Sequence, residues 1–451
     1  MQIDKNYLPI ECYLRNYFDS VSAYGSSIEV KVCLVRQNDY NYTFSIPVFP
    51  DGVSDEENYK VVERLLKASL WTVGGHTVYL SAPSYLYERI KADYSVGGKR
   101  DFDRAMLERV YERQFTVVSC SYSNFPPEKQ VSISVGGHLD GCRIGFDAGG
   151  SDRKVSAVVD GEVIYSEEVV WNPKTNSDPE YHYQGILNAM KTAASKMERV
   201  DAIGVSSAGI YVNNKVMFAS LFIKVSEEDF EKRVKNMYID VAKAMGNPPL
   251  EVVNDGDVTA LAGSLSLNSG SVLGIAMGTS EAAGYINADG GINGWLSELS
   301  FVPVDLSDSA TKDEWSRDTG IGCKYFSQDA VIRLATMAGF SFEPDLTPAQ
   351  KLKVIQAKAE EGDELSLNVY SDIGEYLGNT LPFYARFYDI KHVVLLGRVL
   401  SGRGGDIIIN KAREVLALNY PNCDIILSTP DEKMRRVGQS IAAASLPKLK
   451  S

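Results

Sequence analysis

The chain has 451 residues, 44% hydrophobic and 23% charged, a composition ordinary for a soluble globular protein and a length that calls for two or three domains. With 46 Lys and Arg against 59 Asp and Glu the formal charge is −13, a surface that repels phosphate backbones and anionic lipid and so excludes nucleic acid and membranes as expected partners. No apolar run is long enough to span a bilayer and Met1-Gln-Ile-Asp-Lys5 has no leader pattern, so a cytoplasmic protein is expected.

In chain order, residues 1–138 read as a separate α+β domain of unassigned role. Ile28–Val35, Tyr42–Val48 and His76–Leu80 are short and β-rich, while Glu57–Leu70 and Phe102–Arg113 carry apolar residues at helical spacing. Phe125-Pro126-Pro127 and Gly136-Gly137 punctuate the exit. Acidic residues slightly outnumber basic ones here, so this domain lacks the basic face of a DNA-binding arm. The pattern then sharpens. Strands are predicted at Cys142–Asp147, Lys154–Val159 and Glu162–Val170, the last two joined by the hairpin signal Asp160-Gly161. A helix over Tyr183–Arg199, a buried strand at Ala202–Ser206, short strands around Tyr211–Phe218, and a helix over Ser226–Met245 follow. The strand Leu250–Val253 and the helix Val258–Leu265 complete a βββαβαβ unit with a helix leaving it. A similar layout restarts at Ser271–Ala276 and is expected to stay β-rich through Val304. The remainder is helical except for His392–Leu396 and Asp424–Leu427, and it ends in a helix at Ser440–Leu446.

Three short segments carry chemistry. In Asp147-Ala-Gly149-Gly150-Ser151 the glycines let backbone N–H groups approach a phosphate, Ser151 adds a donor, and Asp147 can hold Mg²⁺ through water. A second turn, Gly278-Thr279-Ser280-Glu281-Ala282-Ala283-Gly284, also follows an apolar strand, so the two could grip one polyphosphate across a cleft. Between them, Asn254-Asp255 stands at a strand-to-helix junction, where an isolated instance would be read as a helix cap.

This arrangement resembles the actin–hexokinase–heat-shock-chaperone superfamily, and within it the ROK group of sugar kinases and repressors, over about residues 142–445. Asp147–Ser151 and Gly278–Ser280 resemble the two phosphate loops, and Val253-Asn254-Asp255 the catalytic segment. Gly294-Trp-Leu-Ser-Glu298 is similar to the sugar-binding segment, and Gly397 with Gly404-Gly405-Asp406 to the adenosine-binding turn. The resemblance implies an α/β fold of two ribonuclease-H-like lobes (139–265 and 266–451) flanking a cleft, with the last helix returning to the first lobe. It also implies ATP-dependent phosphorylation of a sugar. Asp255 would be the catalytic base, and Asn254, Glu298, Ser207 and Asn213 would bind the sugar. Asp147, Gly149, Gly150, Ser151, Gly278, Thr279, Ser280, Gly397, Gly404 and Gly405 would hold ATP, with Mg²⁺ near Asp147 through water. A homodimer is compatible with it.

Departures from the family pattern bear on the activity. Ser300 stands where the family has a His, and Cys323 is alone where the family has a cysteine cluster, so no zinc is expected. The six cysteines (Cys12, Cys33, Cys120, Cys142, Cys323, Cys423) have no paired spacing and read as free thiols. Glu281 puts a carboxylate where the family is glycine-rich; it either reaches the phosphates or turns to solvent. Ser206-Ser207-Ala208-Gly209 replaces a Pro-Gly loop, which alters the sugar pocket. A sugar kinase is the first reading, and a catalytically weak sugar- or nucleotide-binding sensor on the same fold is the alternative.

Overall fold

A computed structural model describes residues 3–130, 136–150, 152–430 and 432–449, and of 432–437 the backbone alone. The helix α1 (Ile10–Tyr24), not anticipated from sequence, buries Ile10, Leu14, Tyr17 and Val21 at helical spacing and ends at Gly25, whose φ of 77° suits a residue without Cβ. Strands β1 (Ile28–Val35) and β2 (Asn41–Val48) pair antiparallel. β3 (Thr77–Ser81) lies on the other side of β1, and β4 (Thr116–Ser119) adds parallel to β3, giving the order β2-β1-β3-β4. Helices α2 (Asp55–Thr72), α3 (Ser84–Asp93) and α4 (Asp101–Tyr111) pack with this sheet. α2 is buried from Val61 to Thr72, including Glu63, Arg64 and Lys67. These charges persist inside because they form a network with Arg100, Asp103 and Asp318: Arg64 to Glu63 at 2.6 Å, Lys67 to Asp103 at 2.7 Å and Arg100 to Asp318 at 2.8 Å.

The next unit is a five-stranded sheet. β5 (Cys142–Ala148), β6 (Asp152–Val159) and β7 (Glu162–Val170) form an antiparallel meander, turned at Asp160 and Gly161 with φ of 47° and 85° as the hairpin signal required. α5 (Pro179–Ala194) leads to β8 (Ala202–Ser207), which lies parallel to β5. The hairpin β9 (Ile210–Val212) and β10 (Lys215–Phe218) turns at Asn213 and Asn214, both with positive φ. The helix expected over 226–245 is broken instead into α6 (Glu227–Asp229), a π-turn at Phe230–Val234 and α7 (Met237–Ala244). β11 (Leu250–Asn254) closes the order β11-β8-β5-β6-β7, and α8 (Asp255–Leu267) leaves it.

The second sheet has β12 (Val272–Met277), β13 (Glu281–Ile286), β14 (His392–Leu396) and β15 (Ile426–Ser428) in the order β13-β12-β14-β15. The β-rich run expected to reach Val304 stops at Ile286. Asn287 takes the amides of Asp289 and Gly291 in a turn, and from there to Ile321 only isolated bridges remain among the described residues. Helices α9 (Gln328–Met337), α10 (Pro348–Glu361), α11 (Glu364–Tyr384) and α12 (Arg403–Asn419) cover this sheet. The final helix α13 (Glu432–Ala444), broken at Gly438, lies on β5 and β8 of the first sheet and on α8. Its close seat depends on Gly145 and Gly204: a Cβ there would stand 1.5 Å from the Ser440 carbonyl and 1.7 Å from that of Ala443. The largest hydrophobic core runs without interruption from Ile10 and Trp71 into Leu273, Ile275 and Tyr384, so the first 115 residues are packed onto the second lobe.

Candidate active site

The junction of β11 and α8 sets the geometry. Asn254 caps the helix, its side-chain oxygen accepting from the Gly256 N–H at 2.7 Å while its amide donates to the Gly209 carbonyl at 2.6 Å. Gly256 and Gly284 let α8 sit directly on β13, since Cβ atoms would lie 2.2 Å from the Ala283 carbonyl and 2.1 Å from the Asp257 nitrogen. Asp255 and Asp257 are thereby held in the first turn between the two sheets. Burial raises the Asp255 carboxyl above the usual range; its own and the Gly256 N–H, with Lys174, oppose that. Asp257 accepts from the Tyr285 N–H at 3.2 Å, and burial pushes its carboxyl up to about 7.

Two further carboxyls converge there. Burial pushes Glu298 up to about 8, helped by the charges of Asp255 and Asp257 and opposed by a hydrogen bond from Ser300. Its segment hangs on the end of α2: the N–H groups of Ser297 and Glu298 donate to the carbonyls of Thr72 and Trp71 at 2.9 and 3.0 Å. Asp147, at the end of β5, accepts from Ser206 at 2.9 Å and from the Gln439 carboxamide at 3.0 and 3.3 Å. Burial raises it to about 7, against the Ser206 bond, with Asp255 adding to the rise.

Asp147 lines a cleft of about 850 Å³ between the lobes, together with Lys154, Thr259, Gly397, Ser401 and Gly402. Gly397, at φ 108°, passes so close to the end of β12 that a Cβ would meet the Met277 carbonyl at 2.3 Å. Gly404 and Gly405, expected to hold ATP, instead serve packing. They are buried in the first turn of α12, where Cβ atoms would strike the Tyr370 ring and the Leu400 carbonyl at 2.6 and 2.1 Å, and neither lines the cleft.

The two glycine turns differ. Gly149 is fixed by Trp171, whose indole N–H donates to its carbonyl at 2.8 Å. A Cβ on Gly150 would lie 2.9 Å from Cε and 3.1 Å from Nζ of Lys174, so an exposed lysine overhangs this turn. Ser151 lies outside the described residues. In the second turn the Gly278 N–H is committed to the Ser280 carbonyl at 3.0 Å, which removes it as a phosphate donor; Thr279 and Ser280 are exposed. Glu281 neither reaches phosphate nor turns to solvent. It is buried, with one oxygen 3.3 Å from the Tyr384 hydroxyl and the other without a partner, and burial pushes its carboxyl up to about 8.

A smaller cavity of about 190 Å³ lies beside Asn254 and Asp257 and includes Arg36, Asn213 and Trp295. Asn213 is among its lining residues. Ser207 is not: it is fully buried in the first lobe, accepting hydrogen bonds from Tyr211 at 2.6 Å and Tyr238 at 3.0 Å. Cys323 has Asp313 3.9 Å away, and no group of three or more His, Cys, Asp or Glu with metal-site geometry occurs among the described residues.

Sequence reasoning missed Lys174, Asp257, Gln439 and Arg36. The loop that carries Lys174 is placed by the buried Trp171 and by His182, which contacts the carbonyls of Asp178 and Pro173 at 3.0 and 3.1 Å. No periodic signal encodes that.

No protein-family model and no curated protein sequence matches the chain. Solved structures do resemble it. A ROK-family transcriptional regulator, a homologue of the E. coli MLC protein, superposes with a TM-score of 0.54 at 18% identity over 68% of this chain and 78% of its own. A ROK hexokinase from Thermus thermophilus gives 0.52 at 17% identity over 67% and 97%. A ROK-family glucokinase from Streptomyces griseus, in complex with glucose and AMPPNP, gives 0.50 at 19% identity over 67% and 99%. About two thirds of the chain therefore has the fold shared by ROK-family kinases and regulators, with the mixed α/β, two-lobed architecture that the motifs implied.

Proposed function

We propose that the protein transfers the γ-phosphoryl group of ATP to a hydroxyl of a sugar. The observation that carries this reading is the station of Asp255. Its carboxyl, raised by burial, stands at the head of α8 between Asp147 of the large cleft and Asn254 and Asp257 of the small polar cavity. ATP occupies the large cleft, with its adenosine against Gly397 and Gly402, and the sugar occupies the small cavity.

Asp255 accepts the proton of the attacking hydroxyl as its oxygen bonds to the γ-phosphorus and ADP departs. A carboxylate whose proton affinity is raised by burial is a better base for this than one of ordinary acidity. Glu298 and Asn213 orient the other hydroxyls. The amides of Gly149 and Gly150 with Lys174 receive phosphate charge, a preorganised arrangement that stabilises charge as it develops. The Asn254 side chain, occupied by Gly209 and Gly256, holds the helix head that presents Asp255.

The donor set fits Mg²⁺, which keeps several waters and takes few protein ligands. Asp147 borders the cleft with a carboxyl that burial holds near 7, and a nearby dication favours its ionised form. Asp147 would hold the ion through water, and the bound ion neutralises phosphate charge.

A ligand-binding regulator is the second reading, favoured by the committed Gly278 amide and by Ser300 bonded to Glu298. A panel of hexoses, pentoses and amino sugars with Mg-ATP, followed by ³¹P NMR, separates the two. ADP and one sugar phosphate in equal amounts are expected. Sugar binding with ATP left intact would establish the regulator reading.

A further inference from the structure

The described residues include six buried Lys or Arg side chains: Arg36, Arg64, Lys67, Arg100, Arg143 and Lys324. Five pair with carboxylates, Arg64 with Glu63 at 2.6 Å, Lys67 with Asp103 at 2.7 Å, Arg100 with Asp318 at 2.8 Å, Arg143 with Asp140 at 2.9 Å and Lys324 with Asp329 at 3.1 Å. Arg36 is the exception. It follows β1, is 1% exposed, and donates from Nη1 to the Gly294 carbonyl at 2.7 Å, while its Nε has no partner. The neighbouring Gln37 Oε1 is also buried without a partner. A guanidinium does not neutralise itself by losing its proton, so a buried and unpaired one is strongly unfavourable until an anion reaches it.

The place where Arg36 lies makes that anion a ligand. Arg36 and Gln37 line the same cavity as Asn254 and Asp257, so the cation faces the space assigned above to the sugar. With Nη1 given to Gly294, the Nε–Nη2 edge is the one that offers two parallel donors, the geometry that matches the two oxygens of a carboxylate. Glu251 and Asp257 also line the cavity; burial pushes both carboxyls upward, Asp257 to about 7, which lessens their repulsion of an incoming anion.

We propose that Arg36 forms a carboxylate subsite and that the sugar bound beside Asp255 is a sugar acid. That this sugar acid receives the phosphoryl group rests on the kinase reading; its binding through Arg36 does not.

The test is calorimetric titration of the full-length protein, with and without AMPPNP, using D-glucuronate, D-galacturonate and D-mannuronate, their neutral parents, and glucose 6-phosphate. At least one uronate is expected to bind tenfold or more tighter than its parent. Arg36→Gln should bring that ratio to about one, and Arg36→Lys, which keeps the charge without the paired donors, should leave it intermediate. Thermal melting accompanies both variants, and the Lys variant carries the test if the Gln variant does not fold. Uronates that bind no tighter than their parents, a ratio unchanged by Arg36→Gln, or a gain confined to the phosphate would each overturn the proposal. ADP release is read separately. A uronate that binds through Arg36 without turnover keeps the subsite and removes the kinase; a neutral sugar turned over without uronate binding does the reverse.

Discussion

Replacing Glu281 by Gln should make the protein more stable, by an amount that grows with pH. Glu281 follows the second glycine turn, is 4% exposed, and has one oxygen near the Tyr384 hydroxyl and the other without a partner. Burial raises its carboxyl to about 8, and the charge of Glu298 contributes while the Tyr384 bond opposes. In the unfolded chain it titrates as an ordinary Glu near ~4.3. Below that pH both states are protonated and its ionisation costs nothing. Above it the unfolded chain ionises while the folded protein keeps the proton, so stability falls as pH rises through the folded value near 8. The slope is about 1.4 kcal/mol per pH unit, so from pH 5 to 8 wild type should lose about 4 kcal/mol relative to Glu281→Gln as an upper bound. Asp147, Asp257 and Glu298 titrate in both proteins and largely cancel in the difference. Urea unfolding at half-unit pH intervals gives this difference directly. Parallel stability curves for the two proteins would mean that Glu281 is ionised and solvated, and the reasoning would fail. A neutral Glu281 also presents no charge to a bound polyphosphate.

Three other substitutions probe separate parts of the structure. Gly204→Ala should destabilise the protein by at least about 3 kcal/mol and expose the end of the chain to protease, because the methyl would stand 1.7 Å from the Ala443 carbonyl and must lift α13 off β8; an unchanged melting temperature would contradict that packing. Asp318→Asn should cost about 3–5 kcal/mol, since it leaves Arg64, Lys67 and Arg100 with two carboxylates in a buried network; denaturant unfolding measures it, and a neutral effect would show the network to be solvated. Lys174→Met should leave thermal stability within about 0.5 kcal/mol, as expected for an exposed side chain, yet weaken ATP binding about tenfold or more. Equal ATP affinity in calorimetry would remove Lys174 from the phosphate site.

How far the sequence was legible depended on the range of the interactions. The meander from Cys142 to Val170 and the strand His392–Leu396 were readable because alternation, hairpin residues and apolar runs are local signals. The spacing of Ile10, Leu14, Tyr17 and Val21 was equally local, and α1 was overlooked although its pattern was present. The change to a π-helix at Phe230–Val234 and the break at Asn236 were less accessible, since Glu-Lys-Arg-rich sequence has good helix propensity and a π-helical segment has no sequence signature. At the candidate site, short motifs single out Asp147, Asn254, Asp255 and Glu298, and the structure places them near the junction of β11 and α8. Ser207, Gly278, Gly404 and Gly405 are engaged by protein neighbours for one shared reason. A small residue in a motif serves close packing or a turn hydrogen bond as readily as a ligand, and only its neighbours decide which: two tyrosine hydroxyls for Ser207, the Ser280 carbonyl for Gly278, the Tyr370 ring for Gly404. Arg36 and Lys174 depend on contacts between segments far apart in the chain, and nothing in their immediate sequence marks them.

The central claim is that Asp255 takes the proton of the attacking hydroxyl, and Asp255→Asn tests it most directly. The amide keeps the shape of the side chain at the first position of α8, and the cap itself belongs to Asn254, so folding and ATP binding should be nearly unchanged. Single-turnover phosphoryl transfer to the sugar identified by the panel, measured by quenched flow beside ATP titration, should fall by about 10²–10⁴. An Asn variant that transfers phosphate at the wild-type rate would contradict the account.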